Sequence, residues 1–223
     1  MWAMLALSAI AGAVDCIGYL LLVEVFTSHI SGDTVGGSVY AVLGDWSKAA
    51  PRAEAVATFF AGNVVGIWIS DALLAHPARR VVAGVGALEV ALLAAFVAFA
   101  RPPSPWMVLW PATAMGVQNA MVRRAGYKEL RTTFVTGMLS NTALACAELF
   151  KELFFGVHRG EAGRRFREFR VFGGTWLAFA AGGAIGAAAD IRLGVASLFV
   201  PIAGLVALIV LDLIRPLERS GEP

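Results

Sequence analysis

The sequence predicts an all-α polytopic membrane protein: six to seven transmembrane helices in two inverted three-span repeats, each with a short re-entrant or broken half-helix. Three observations lead there. The 223-residue chain is 58% hydrophobic and 15% charged, whereas a soluble domain carries about 25% charged residues. Six apolar runs are long enough to cross a hydrocarbon core of ~30 Å as helix. A set of landmark motifs also recurs, in the same order, in the two halves.

The apolar runs fall at about 2–26, 55–75, 81–100, 105–122, 171–189 and 193–214. Within the first, Ala11-Gly12-Ala13 resembles a signal-peptidase site, but no Lys or Arg precedes it, so the segment is read as a retained span. Segments 30–44 and 132–150 are apolar only in part, short, and rich in Ser, Thr, Asn and Gly. Backbone polar groups facing lipid have no partner, so both are expected to be helical, or else buried against other helices or a water-filled cavity.

Orientation follows from the bias of Lys and Arg toward cytoplasmic loops. With six spans, Arg79, Arg80, Arg123, Arg124, Lys128, Arg131, Lys151, Arg159, Arg164, Arg165, Arg167, Arg170, Arg215 and Arg219 share one side. Lys48, Arg52, Arg101 and Arg192 remain on the other. The 151–170 loop and the C-terminus are therefore expected in the cytoplasm. A seven-span version in which 30–44 crosses keeps the same split, while an eight-span version weakens it. The basic loop is expected to form an amphipathic surface helix attracted to anionic lipid.

The halves, 1–103 and 104–223, read as two repeats of a single membrane domain. Gly12-Ala13-Val14-Asp15-Cys16 leads to Ser31-Gly32-Asp33-Thr34, as Gly116-Val117-Gln118-Asn119-Ala120 leads to Thr136-Gly137-Met138-Leu139. Ala61-Gly62-Asn63-Val64-Val65-Gly66 is answered by Ala181-Gly182-Gly183-Ala184-Ile185-Gly186, and Arg101-Pro102 by Arg215-Pro216. Three spans per half would invert the second relative to the first. The plainer reading is that glycine-rich spans resemble one another because small residues four apart let helices pack closely.

These motifs, with Val25-Phe26-Thr27-Ser28-His29-Ile30 and Arg131-Thr132-Thr133-Phe134-Val135, resemble the YoaK-like family of bacterial inner-membrane proteins of unknown function. The resemblance spans nearly the whole chain. It implies about six spans in the bacterial inner membrane and supplies no catalytic residues. Two positions depart from the family's usual pattern, which has Asn at the position of Asp33 and Ala at that of Cys16.

Ionisable residues inside a membrane cost at least about 2.5–3.5 kcal/mol, so those retained face a cavity or a partner. On that ground Asp15, His29, Asp33, Asn119, Thr133 and Thr136 are the residues expected to line a solute or ion site, with Ser31, Asn63, Glu89 and Gln118 as secondary candidates. The competing reading of Asp15 is a structural carboxylate that pins a neighbouring segment. For Thr27, Ser28, Ser31, Asp33 and the Thr132–Thr136 stretch it is helix N-capping, since these side chains accept orphan backbone N–H groups. For His29 it is a neutral, hydrogen-bonded imidazole at the membrane boundary.

The expected function is a small transporter or channel for a small polar or ionic solute, with proton coupling among the mechanisms an acid and an imidazole allow. The expected partners are the lipid bilayer, the solute and a second copy in a homodimer. No cofactor, metal or nucleic acid is expected. Cys16 and Cys146 lack metal-ligand spacing. A membrane-embedded enzyme is the first alternative, but the chain has no HExxH, GxSxG, CxxC or phosphate-binding glycine loop. A scaffold that transports nothing is the second.

Overall fold

A computed structural model describes residues 1–22, 24–75, 80–99, 107–124, 133–156 and 161–214. Among these residues the chain is all-helical. The order is α1 (Trp2–Leu21), α2 (Ile30–Val42), α3 (Trp46–Ala75), α4 (Val81–Phe99), α5 (Leu109–Arg124), α6 (Val135–Phe155), α7 (Ala162–Leu193), a 3-10 turn (Gly194–Leu198) and α8 (Phe199–Ile214). Four helical stretches are long and apolar enough to cross a membrane: Trp2–Leu21, Trp46–Ala75, Val81–Phe99 and Ala162–Ile214. This is the pattern of a helical membrane protein.

Both polar segments left undecided by hydropathy are helices, α2 and α6. Their internal hydrogen bonds satisfy the backbone despite the Ser, Thr and Gly content. Two long helices begin earlier than their apolar stretches. α3 starts at Trp46, not 55, and passes through Pro51, which removes one backbone hydrogen bond without ending the helix. The charge at Arg52 that marked this segment as a loop is buried. Its guanidinium donates to Lys48 O and Glu24 O, both at 2.9 Å.

α7 starts at Ala162, not 171, so the basic segment is not a separate surface helix. Arg164, Arg165, Arg167 and Arg170 lie in the first turns of α7, where Arg164 pairs with Glu161 at 2.6 Å and with Glu168 at 2.7 Å. Pairs three and four residues apart lie on one helix face, which is why these turns remain helical outside the apolar stretch. α7 ends at Gly194, whose φ of 53° suits the residue with no side chain.

Two crossings organise the bundle. α1 packs on α7 and α3 packs on α5, each at near backbone contact. A Cβ on Gly12 would lie 2.0 Å from Phe179 O, and one on Gly182 1.9 Å from Ala9 O. At the other crossing, a Cβ on Gly62 would lie 2.2 Å from Thr113 O, and one on Gly116 2.2 Å from Phe59 O. Small residues allow this approach, and dispersion across the close surfaces holds it where water-driven burial is absent. α4 packs on α5 and α8, and α8 on α1, enclosing Val14, Ile17, Leu93, Phe96, Met115 and Leu205. α2 lies against α3, and α6 against α7.

The closeness of the crossings sets an expected contrast among glycine variants. Gly182→Ala or Gly62→Ala places a methyl group inside a backbone carbonyl's radius and should destabilise the fold by about 2 kcal/mol. Gly163→Ala, whose Cβ meets nothing within 4 Å, should leave stability unchanged or raise it by up to about 1 kcal/mol. Unfolding midpoints of the purified variants in one detergent provide the measurement.

Candidate functional site

The site begins where α1 ends. Leu22 N–H still bonds to Gly18 O at 2.8 Å, and Glu24 N–H bonds back to Tyr19 O at 3.0 Å. Glu24 adopts φ 64°, a left-handed conformation that costs a non-glycine residue roughly 1–2 kcal/mol. Arg52 of α3 holds Glu24 by its carbonyl. The chain thereby doubles back along α1, close enough that a Cβ on Gly18 would lie 2.4 Å from Thr27 Cγ2.

The reversal brings Thr27, Ser28 and His29 to Asp15. Asp15 Oδ1 accepts from Thr27 N–H at 2.8 Å, Thr27 Oγ1 at 3.0 Å and Ser28 N–H at 2.8 Å. Its Oδ2 meets His29 Nδ1. Asp15 is 3% exposed and Thr27 fully enclosed, while the His29 side chain keeps 30% of its surface. A carboxylate accepting several N–H and O–H bonds offsets much of its desolvation cost. The imidazole is wedged among rings, 5.3 Å from Phe26 and edge-on at 5.5 Å to Phe179 of α7.

Asp33 stands in the first turn of α2, 1% exposed. Its Oδ1 accepts Phe26 N–H at 3.2 Å, and its Oδ2 has no hydrogen-bond partner among the described residues. Asp15, His29 and Asp33 thus form one cluster around the start of α2. Chemically, the cluster offers a carboxylate and imidazole able to exchange a proton, beside a second acid with an oxygen to spare.

The other expected residues separate into distinct places. Asn119 of α5 accepts Thr133 Oγ1 at 3.0 Å, and both are buried. Gln118 reaches from α5 to α1, donating to Leu7 O at 2.9 Å. Asn63 lies at the α3–α5 crossing, where its backbone nitrogen faces Gly116. Thr136 and Ser31 are exposed on α6 and α2. Glu89 is fully enclosed within α4, and neither carboxyl oxygen has a hydrogen-bond partner among the described residues. Thr132 lies outside the described residues.

Among the described residues, no group of three or more His, Cys, Asp and Glu could hold a metal ion. Cys16 and Cys146 are free thiols.

A family model described as a protein of unknown function, DUF1275, matches residues 3–211. The chain belongs to the DUF1275 family. The YoaK-like resemblance is consistent with that membership. No curated protein and no solved structure matches the chain.

In this DUF1275 member, the site roles of four residues are not legible in the sequence. Thr27 and Ser28 read as caps for their own helix, yet they donate to Asp15 twelve and thirteen residues earlier. Arg52 reads as one of the few loop cations but anchors the reversal. Phe179 looks like any core aromatic until α7 sets it against His29. Only the Thr27-Ser28-His29 run carried a local signal, as a polar cluster directly after an apolar span.

The bonding of Asp15 separates its two substitutions. Asp15→Ala leaves Thr27 and Ser28 N–H groups enclosed without an acceptor and should destabilise the protein by about 3 kcal/mol. Asp15→Asn keeps an oxygen for those donors, so its loss should be about 1 kcal/mol. Arg52→Met should cost about 2 kcal/mol by releasing the Glu24 carbonyl. Thermal unfolding in detergent distinguishes the three, and equal losses for Asp15→Ala and Asp15→Asn would contradict the hydrogen-bond account.

Proposed function

We propose that this protein is a small membrane transporter or channel for a small polar or ionic solute, with the Asp15–His29 pair as its proton-exchanging element. The observation that carries the reading is a carboxylate buried between apolar helices, committed through one oxygen to the turn that precedes α2 and through the other to a partly accessible imidazole. Intramembrane acids held in this way recur in proton and solute pathways. Helix starts within the membrane recur at transporter sites.

The helix pairings support two related halves within the proposal. Exchanging α1–α4 with α5–α8 maps the α1–α7 contact onto α5–α3, and the α2–α3 contact onto α6–α7. The glycines follow the same exchange: Gly12 against Phe179 corresponds to Gly116 against Phe59, and Gly186 against Ala13 to Gly66 against Val117. Asp15 with Ser28 corresponds to Asn119 with Thr133. If α2 and α6 stop short of crossing, each half has three spans and the halves are inverted. The solute would then bind between them near Asp15, His29, Asp33, Asn119 and Thr133, with Thr136 at the outer face of α6.

The distribution of Lys and Arg supports a bacterial cytoplasmic membrane with the 151–170 segment and the C-terminus inside. A homodimer fits the small interior of so short a chain.

Flux in proteoliposomes tests the reading. With a panel of small polar and ionic solutes and an imposed pH gradient, wild-type protein should accelerate uptake of at least one. Asp15→Asn, still folded, should lower that uptake at least tenfold, and His29→Gln should flatten its pH dependence. Absence of accelerated flux for every solute, or full flux in both folded variants, would overturn the reading.

A further inference from the structure

We infer that the cavity between α2 and α3 binds a small organic ammonium compound with an apolar body. The cavity measures about 590 Å³, within the usual range for small-molecule sites. Its α3 wall is chiefly alanine, with Ala50, Ala53 and Ala57 facing Asp33, Thr34 and Ser38 of α2. Alanine walls leave room for a whole apolar body.

The polar groups of the wall define the head group. Asp33 is 1% exposed, and its Oδ2 has no hydrogen-bond partner among the described residues. Thr34 Oγ1 donates to Ile30 O at 2.7 Å, and Ser38 Oγ donates to Thr34 O at 2.8 Å. Both hydroxyl protons are thus committed to the helix backbone, and the oxygens retain only lone pairs. With Asp33 ionised, every free polar valence these three residues present is an acceptor, and one carries negative charge. A complementary head group is a donor carrying positive charge.

The neighbouring cation does not fill that role. Arg52 sends its two terminal nitrogens to Lys48 O and Glu24 O, each at 2.9 Å, and its guanidinium lies 4.8 Å from the Tyr40 ring centre. Trp46, exposed at the edge of the same cavity, adds an aromatic surface of the kind that attracts ammonium groups. The site lies on the α3 side of α2 and is read by binding alone, so failure of the transport reading leaves it standing.

Equilibrium titration of the full chain in detergent tests the inference, with 2-phenylethylamine as probe and 2-phenylethanol as its neutral counterpart. The amine should bind saturably and at least tenfold more tightly than the alcohol. Asp33→Asn should weaken the amine at least tenfold. Ala53→Phe, which fills the cavity from an exposed helix position, should do the same while preserving the unfolding midpoint, so the test stands even where Asp33→Asn fails to fold. Equal affinity for amine and alcohol, or undiminished amine binding in folded Ala53→Phe, would overturn the inference. Tighter binding of short-chain phosphatidylethanolamine than of the amine would also overturn it, in favour of a lipid head-group site.

Discussion

The Asp15 carboxylate is the interaction on which the local architecture depends. A chain leaving one apolar helix and starting another exposes several backbone N–H groups, and a low-dielectric interior supplies no water to satisfy them. Here one oxygen of Asp15 accepts two of those groups and a hydroxyl together. The left-handed Glu24 and the buried Arg52 are consequences of the same turn: the first reverses the chain, and the second fastens the reversed segment to α3. α2 can therefore begin beside the middle of α1 and not beyond its end.

Close helix crossings complete the arrangement. Because α1 and α7 approach to backbone contact at Gly12 and Gly182, Phe179 of α7 lies edge-on to the His29 ring, 5.5 Å away. The imidazole is thus fixed by a carboxylate on one helix and by an aromatic edge on another.

Asp15 and Asp33 illustrate how one motif divides its roles. Both acids are buried near the N-terminal end of α2, Asp15 from α1 and Asp33 from α2 itself, but Asp15 has both oxygens engaged while one oxygen of Asp33 has no hydrogen-bond partner among the described residues. The engaged acid shapes the turn, and the other keeps one buried oxygen without a hydrogen-bond partner among the described residues. In the second half the corresponding positions are Asn119 and Met138, so neither charge is repeated there.

Composition and run length by themselves determined the all-helical membrane class. They also located the apolar part of every long helix, because ~20 apolar residues have few other stable fates. The polar run from Thr27 to Thr34 likewise marked the site, since such residues are costly inside a membrane without partners. The ends of α3 and α7 were not legible. Arg52 is satisfied by Lys48 O one turn earlier in α3 and by Glu24 O from the distant chain reversal, and the first turns of α7 carry ion pairs that hydropathy counts only as charge. Only the tertiary structure decided which partner each polar residue takes. Asp15 meets Thr27, Ser28 and His29 through a chain reversal, Asn119 meets Thr133, and Glu89 meets no hydrogen-bond partner among the described residues. Hydrogen bonds depend on distances within a few tenths of an ångström, and those distances are set by how the helices cross.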